Sequence, residues 1–319
     1  MKISGFTMGK NALKLYYPMR QSIESILPIV DEFVVVLGDS DEDDRSREEI
    51  ESIGSDKVRI VDTVWDIEKY PRGMEHAHQT DLAMQECSGD WLFYLQSDEV
   101  VHEKDLETIR KRCEELQNDH EVEGLLFSYL HFWGDYEHLQ DGHCWYRKEI
   151  RIVRNHPEIH SWESAQSFRR IPGFEGLNYR QQEGTFKLKV AEVDAEIFHY
   201  GWVRPPSIMQ KKIKAFRTNH RGRKKVAEQE ALHFFTRPFD YGNLSYCTPY
   251  QGSHPAVMKP WMDQFDWKAE LRYSGPRKSH NPIRSKHDHS KYRIISWIEK
   301  RILGGRRLGE FKNYILLNS

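Results

Sequence analysis

The chain has 319 residues, enough for one large domain or for a domain with a substantial appendage. Lys and Arg total 47 against 49 for Asp and Glu, so the basic excess that nucleic-acid binding demands is missing. The four scattered cysteines Cys87, Cys113, Cys144 and Cys247 have no zinc or disulfide spacing, no signal peptide is evident, and no apolar run nears the ~18 residues that cross a bilayer, so a cytoplasmic protein is expected.

Lys2 to Thr7 reads as a short strand. Tyr17 to Ile29 carries apolar residues at helical spacing, with Pro18 near its start, where a missing N–H is harmless. Phe33-Val34-Val35-Val36-Leu37 is a β-branched run suited to a strand buried on both faces. Ser46 to Ile53 reads as a short helix stopped by Gly54, and Lys57 to Val64 as a strand. Gly73 to Cys87 reads as a helix stopped by Ser88-Gly89. Trp91 to Leu95 is a compact apolar strand, and Asp105 to Leu116 a charged helix. From Gly124 the pattern shifts to longer strand-like segments: Leu125 to Phe132, Trp145 to Val153 and Phe186 to His199. Past Arg204-Pro205-Pro206, Ile208 to His220 reads as a helix. The remainder, to Ser319, is rich in Pro, His, aromatic and basic residues.

Strands alternating with helices predict an α/β chain with a parallel sheet that carries helices on both faces. Ligands of such sheets sit beyond the carboxyl ends of the strands. Those ends are Phe6-Thr7, Gly38-Asp39-Ser40-Asp41, Val64-Trp65-Asp66 and Gln96-Ser97-Asp98-Glu99, and three of the four carry carboxylates. In the last, an apolar strand runs straight into a polar knot. Carboxylates there are hard oxygen ligands suited to Mg²⁺ or Mn²⁺. A metal so held could bridge two phosphates and stabilise a departing diphosphate.

Gly89-Asp90-Trp91 through Asp98-Glu99 resembles the "GDW, apolar strand, D-x-D-E" stretch of family-2 glycosyltransferases with the GT-A fold. Val34 to Asp43 resembles their second-strand end, and Lys10-Asn11-Ala12 after the first strand fits their opening. The resemblance covers roughly residues 1 to 205. It implies a GT-A-like, nucleotide-binding mixed sheet flanked by helices over 1–205, with 206–319 as a helical and irregular C-terminal extension packed on the core. The implied activity is inverting sugar transfer from a nucleoside-diphosphate sugar to a glycan or glycolipid acceptor, as in polysaccharide biosynthesis, assisted by Mn²⁺ or Mg²⁺. Asp39 matches the family's base-binding position. Asp39, Asp66, Gln96, Ser97 and Asp98 are the expected donor contacts. Gln96 departs from the pattern: it stands where the family has its first metal-motif Asp, removing one negative charge. Asp98 matches the second acid and is the expected metal ligand, with His199 from Ile197-Phe198-His199-Tyr200 as its partner. Arg151-Ile152-Val153-Arg154 followed by His160-Ser161-Trp162-Glu163 resembles the family's acceptor-side region, which makes Glu163 the expected general base, with Asp135 and Glu149 as substitutes. Arg151, Arg154, Arg204 and Lys211, with Lys212 beside it, are candidate phosphate or acceptor contacts.

Lys291 to Leu317 mixes Ile, Trp, Leu, Phe and Tyr with Lys291, Arg293, Lys300, Arg301, Arg306, Arg307 and Lys312. Such a stretch can lie on an anionic membrane surface, or pack on the core with a solvated basic face. Two other functions compete with sugar transfer. A nucleotidyltransferase would need a glycine-rich basic phosphate loop after the first strand, where Phe6-Thr7-Met8-Gly9-Lys10 offers one Gly and one Lys. A noncatalytic nucleotide- or carbohydrate-binding protein would explain Gln96 as decay.

Overall fold

The computed structural model describes residues 1–277, 279–281, 289–309 and 312–317. The first third is the alternating unit that the sequence predicts: β1 (Ile3–Gly9), α1 (Met19–Ile26), β2 (Glu32–Leu37), α2 (Ser46–Glu51), β3 (Val58–Asp62), α3 (Met74–Gln85) and β4 (Trp91–Tyr94). β2 pairs in parallel with β1 and β3, and β1 with β4. Val34, Val35 and Val36 are wholly buried because the sheet is covered on both sides. Val35 packs with Ile23 and Ile26 of α1, whereas Val34 and Val36 pack with Ala83 and Met84 of α3.

The next stretch makes the sheet mixed. It contains β5 (Glu99–Val101), α4 (Leu106–Glu115), β6 (Gly124–Trp133), β7 (His138–Leu139), β8 (Lys148–Arg154), β9 (Ile159–Trp162), β10 (Ser167–Arg170) and β11 (Phe186–Trp202). The strand order is β3-β2-β1-β4-β8-β6-β11-β10-β9. β8 runs antiparallel to both of its neighbours, β4 and β6. β11 spans 17 residues, and its far end pairs antiparallel with β5, opposing His199 to Glu99. That pairing brings position 98 beside position 199 across 101 residues of chain. The β9–β10 hairpin was not legible as strands, since Ile159–Trp162 and Ser167–Arg170 are four residues each and, unlike Trp91–Tyr94, carry no apolar run.

Beyond residue 205 come α5 (Pro206–Arg221), α6 (Arg223–Ala231), β12 (Thr248–Pro249), α7 (Lys259–Met262), α8 (Ser290–Arg301) and β13 (Tyr314–Leu316). α5 contains the predicted helix, with Pro206 as its first residue, where proline lacks no needed donor. Tyr241, Trp261, Trp267 and Leu271 join Trp133, Phe198 and Tyr200 in one aromatic cluster, and β13 adds a parallel strand to β11. Positions 278, 282–288, 310–311 and 318–319 of the C-terminal extension lie outside the described residues.

Candidate active site

β4 ends at Tyr94, and a turn closed by Glu99 N–H donating to the Gln96 carbonyl (2.9 Å) leads into β5. Ser97 Oγ donates to the Met8 carbonyl (3.1 Å), tying this turn to the end of β1. Asp98, only 4% exposed, has its backbone carbonyl fixed by Tyr200 N–H of β11 (2.8 Å). Its carboxylate lies 3.2 Å from Lys212 Nζ, 3.8 Å from His199 Nε2 and 3.8 Å from Arg204 Nη2. Burial pushes the Asp98 carboxyl upward, but Lys212, His199 and Arg204 outweigh it and hold it down at about 2. Burial, with Arg204 nearby, pulls the Lys212 ammonium down to about 7. Arg204 is fully buried and donates to the Leu15 carbonyl (2.7 Å), while its Nε and Nη2 have no hydrogen-bond partner among the described residues. Both cations lean on the Tyr17 ring, at 4.5 and 4.9 Å from its centre.

His199 is oriented from behind. His131 Nε2 lies 2.7 Å from the Tyr146 carbonyl, which can only accept, so that nitrogen carries the proton. Burial pulls both imidazoles toward their neutral forms. Neutral His131 therefore accepts at Nδ1, and the 2.9 Å contact there makes His199 donate from its own Nδ1. His199 Nε2 is left unprotonated, with its lone pair on the Asp98 side. Gly201 completes the arrangement, because a Cβ there would come within 2.7 Å of Asp98 Oδ2 and closer still to His199 Nε2. A carboxylate and an imidazole lone pair flanking one backbone cradle fit a divalent cation. Among the described residues no group of three or more His, Cys, Asp or Glu could hold a metal, so a bound ion would need ligand oxygens from its substrate.

Glu99, next in sequence, is wholly buried and does something else. Arg151 grips it with two bonds, Nε to Oε2 and Nη2 to Oε1, both 2.7 Å, and Tyr129 donates a third (2.9 Å). Arg151 gives its other donors to the Ile150 and Gln166 carbonyls. All three of its guanidinium nitrogens are thus bonded within the protein, which makes it a structural residue rather than the expected phosphate or acceptor contact. Arg154 is corrected too. It pairs with Trp91 at the start of β4, the end remote from Asp98, and donates to the Leu116, Gln117, Asp119 and Val122 carbonyls. A cleft of about 550 Å³ opens at that end, but neither Asp98 nor His199 lines it. Of the adjacent Lys211 and Lys212 on α5, Lys212 reaches Asp98, whereas Lys211 is exposed.

Asp39 lies past β2, where it accepts from Trp65 N–H (2.9 Å) and pairs with Lys10 (2.8 Å). Burial raises its pKa, but Lys10 and that N–H outweigh burial and keep it below the usual carboxylate value. Asp66 caps the turn after β3 by accepting from Glu68 and Lys69 N–H groups, so its role there is at least partly local. Gln96 turns its amide to the Ala165 carbonyl (3.0 Å), inside the β9–β10 loop that carries Glu163. Glu163 and Ala165 both sit at φ of 60°, a left-handed conformation that side chains disfavour and that functional loops often retain. The Glu163 carboxylate is 30% exposed and 3.5 Å from Arg180. Asp135 is committed to His138 (2.8 Å) and Tyr273 (2.9 Å). Glu149 is buried near Ser167; burial raises its carboxyl to about 7, and its Oε2 has no hydrogen-bond partner among the described residues. Sequence reasoning missed His131 altogether, since nothing local marks a residue whose work is done through His199.

No protein-family model matches the chain, and no curated protein matches it. Solved structures do. Glucosyl-3-phosphoglycerate synthase from Mycobacterium tuberculosis, crystallised with Mn²⁺, uridine diphosphate and phosphoglyceric acid, is 18% identical, with a TM-score of 0.29 over 40% of this chain and 43% of its own. S. aureus TarS is 12% identical, with a TM-score of 0.38 over 68% of this chain and 39% of its own. Its 1-349 fragment covers 69% of this chain and 65% of its own, at 12% identity and a TM-score of 0.35. The chain thus spans about two-fifths of the length of the first two. Likeness at this level carries no substrate or reaction with it. With helices on both faces of a mixed sheet in the order β3-β2-β1-β4-β8-β6-β11, the chain has a mixed α/β fold.

Proposed function

We propose that the chain transfers a sugar from a nucleoside-diphosphate sugar to an acceptor hydroxyl, with inversion at the anomeric carbon. The observation that carries this reading is the gathering of Asp98, His199, Lys212 and Arg204 at the carboxyl ends of the strands, where a sheet of this kind binds its ligand. Asp39 would accept a hydrogen bond from the base, with Asp66, Gln96 and Ser97 around the nucleoside. Asp98 and His199 Nε2 would hold Mn²⁺ or Mg²⁺. When bound, that ion supplies positive charge against the departing diphosphate. The unpartnered N–H groups of Arg204 add fixed positive charge in buried surroundings, where such charge acts most strongly, and Lys212 adds to it while protonated.

Glu163 is the proposed base. The acceptor oxygen bonds to the anomeric carbon as the carbon–oxygen bond to the diphosphate breaks. The hydroxyl proton passes to Glu163, and the nucleoside diphosphate leaves. The strained loop around Glu163, tied to Gln96, supports this role. A glycan or glycolipid acceptor, as in polysaccharide biosynthesis, follows from the sequence resemblance. Nucleotidyl transfer is disfavoured because Lys10, the cation of its would-be phosphate loop, is paired with Asp39.

The test is nucleoside-diphosphate release from a panel of sugar donors. Glu163→Gln should cut turnover by about 10²- to 10⁴-fold, the usual worth of general-base catalysis, with donor affinity retained. Turnover within about threefold of wild type would remove Glu163 from the mechanism. Glu149 would then be the next base to test, with an activity limb near pH 7. Release of pyrophosphate would indicate nucleotidyl transfer instead, and binding without turnover a noncatalytic protein.

A further inference from the structure

α8 is mounted with its polar side inward. Tyr292, Ser296, Glu299 and Leu303 recur at the spacing of one helix face. Tyr292 stacks on His143, Ser296 Oγ accepts from His143 N–H (2.8 Å), and Glu299, almost wholly buried, accepts from His143 Nδ1 (2.7 Å) and Arg307 (2.9 Å). The opposite face therefore points to solvent, and it is the apolar one. Ile294 and Trp297 are each 59% exposed, Ile302 at the helix end is 63% exposed, and Ile298 lies beside them half-buried. A helix stabilised only by burial would sit the other way round. Lys291, Arg293 and Arg301 on the helix, and Arg306 just after it, are exposed and have no ion-pair partner among the described residues. Lys300 and Arg307, by contrast, are tied to Asp141 and Glu299.

We infer that this face of α8 docks the protein on an anionic lipid surface. The helix has 12 residues, so it is about 18 Å long and can lie along a bilayer surface but not span it. Ile294, Ile298 and Ile302 would enter the acyl boundary. Trp297 has the amphipathic ring that favours the headgroup level, and the four cations meet lipid phosphates. Charge argues against a second copy of this chain as the occupant, because a two-fold contact would bring the four cations against themselves. This inference is independent of the sugar-transfer reading.

The test is co-sedimentation of the full chain with vesicles of phosphatidylglycerol and phosphatidylcholine, and with phosphatidylcholine alone. Binding is expected only to the acidic vesicles, and it should weaken as salt is raised. Trp297→Asp with Ile294→Asp should lower binding about tenfold or more, and Arg293→Glu with Arg301→Glu by a similar factor. These side chains are exposed, so the thermal unfolding midpoint should not move. Equal binding by the variants, or none by the wild type, would overturn the proposal. A concentration-dependent dimer abolished by Trp297→Asp would also overturn it and assign the face to self-association.

Discussion

Asp98 and Glu99 leave the same turn in opposite directions, and the surroundings of each explain the other. Glu99 points into the sheet, where Arg151 and Tyr129 satisfy it with three bonds of 2.7–2.9 Å. Asp98 points to the end of the sheet, where three cationic or imidazole groups approach it no closer than 3.2 Å. The first carboxylate is saturated and rigid, with no capacity left for a ligand. The second keeps lone pairs free, and two Arg204 N–H groups beside it lack hydrogen-bond partners among the described residues, an arrangement that costs stability and suits the diphosphate of the proposed donor. Saturation marks a structural ion pair and under-saturation marks a site, even between adjacent residues.

The contrast can be broken most forcefully at Arg151. Arg151→Met leaves a buried Glu99 charge unpaired, so the chain should lose about 3–5 kcal/mol in chemical denaturation. A loss below about 1 kcal/mol would mean that Glu99 is not a structural anchor. Asp98→Asn addresses the other half. Turnover should fall by about 10²- to 10³-fold, the scale for losing one electrostatic contact in a reacting site, with a smaller stability loss than at Arg151. A stability loss as large as that of Arg151→Met would erase the distinction between the two carboxylates.

Which parts of this contrast could be read in the sequence follows from locality. The Val34–Val36 run, the apolar strand Trp91 to Leu95 and the helix after Pro205 are local signals, and each led to the right element. Asp98 stood out as a carboxylate following an apolar strand, and His199 through the family resemblance. The Glu99–Arg151 pair spans 52 residues, and the Arg154 donors reach carbonyls more than 30 residues away, so no local pattern told those arginines from ligand-binding ones. His131 and the inverted mounting of α8 depend wholly on tertiary contacts.

Glu149 offers a third test, since it is buried like Glu99 but lacks the saturation. Its folded value of about 7 lies above its ordinary 4.5, so its stabilising share is full below about 4.5 and is lost as the pH rises through about 7. Glu149→Gln should flatten this dependence and raise stability at pH 8 by up to about 3 kcal/mol relative to wild type. Unchanged pH curves would place Glu149 among the saturated carboxylates. The smallest effect is expected behind the site. His131→Phe removes the acceptor that fixes the His199 tautomer, so Mn²⁺ affinity measured by calorimetry should fall about 10- to 100-fold with Asp98 untouched. Unaltered affinity would mean that His199 is oriented by other contacts.

Gly201 has an implication for how such chains decay over evolutionary time. Replacing it by any other residue would drive a Cβ against both Asp98 and His199 while leaving the acid, the histidine and the strand-end motif intact in the sequence. A copy changed only there would keep every side chain named in the proposed site, so if the proposed activity is lost with those side chains intact, the residue to inspect first is the one with no side chain.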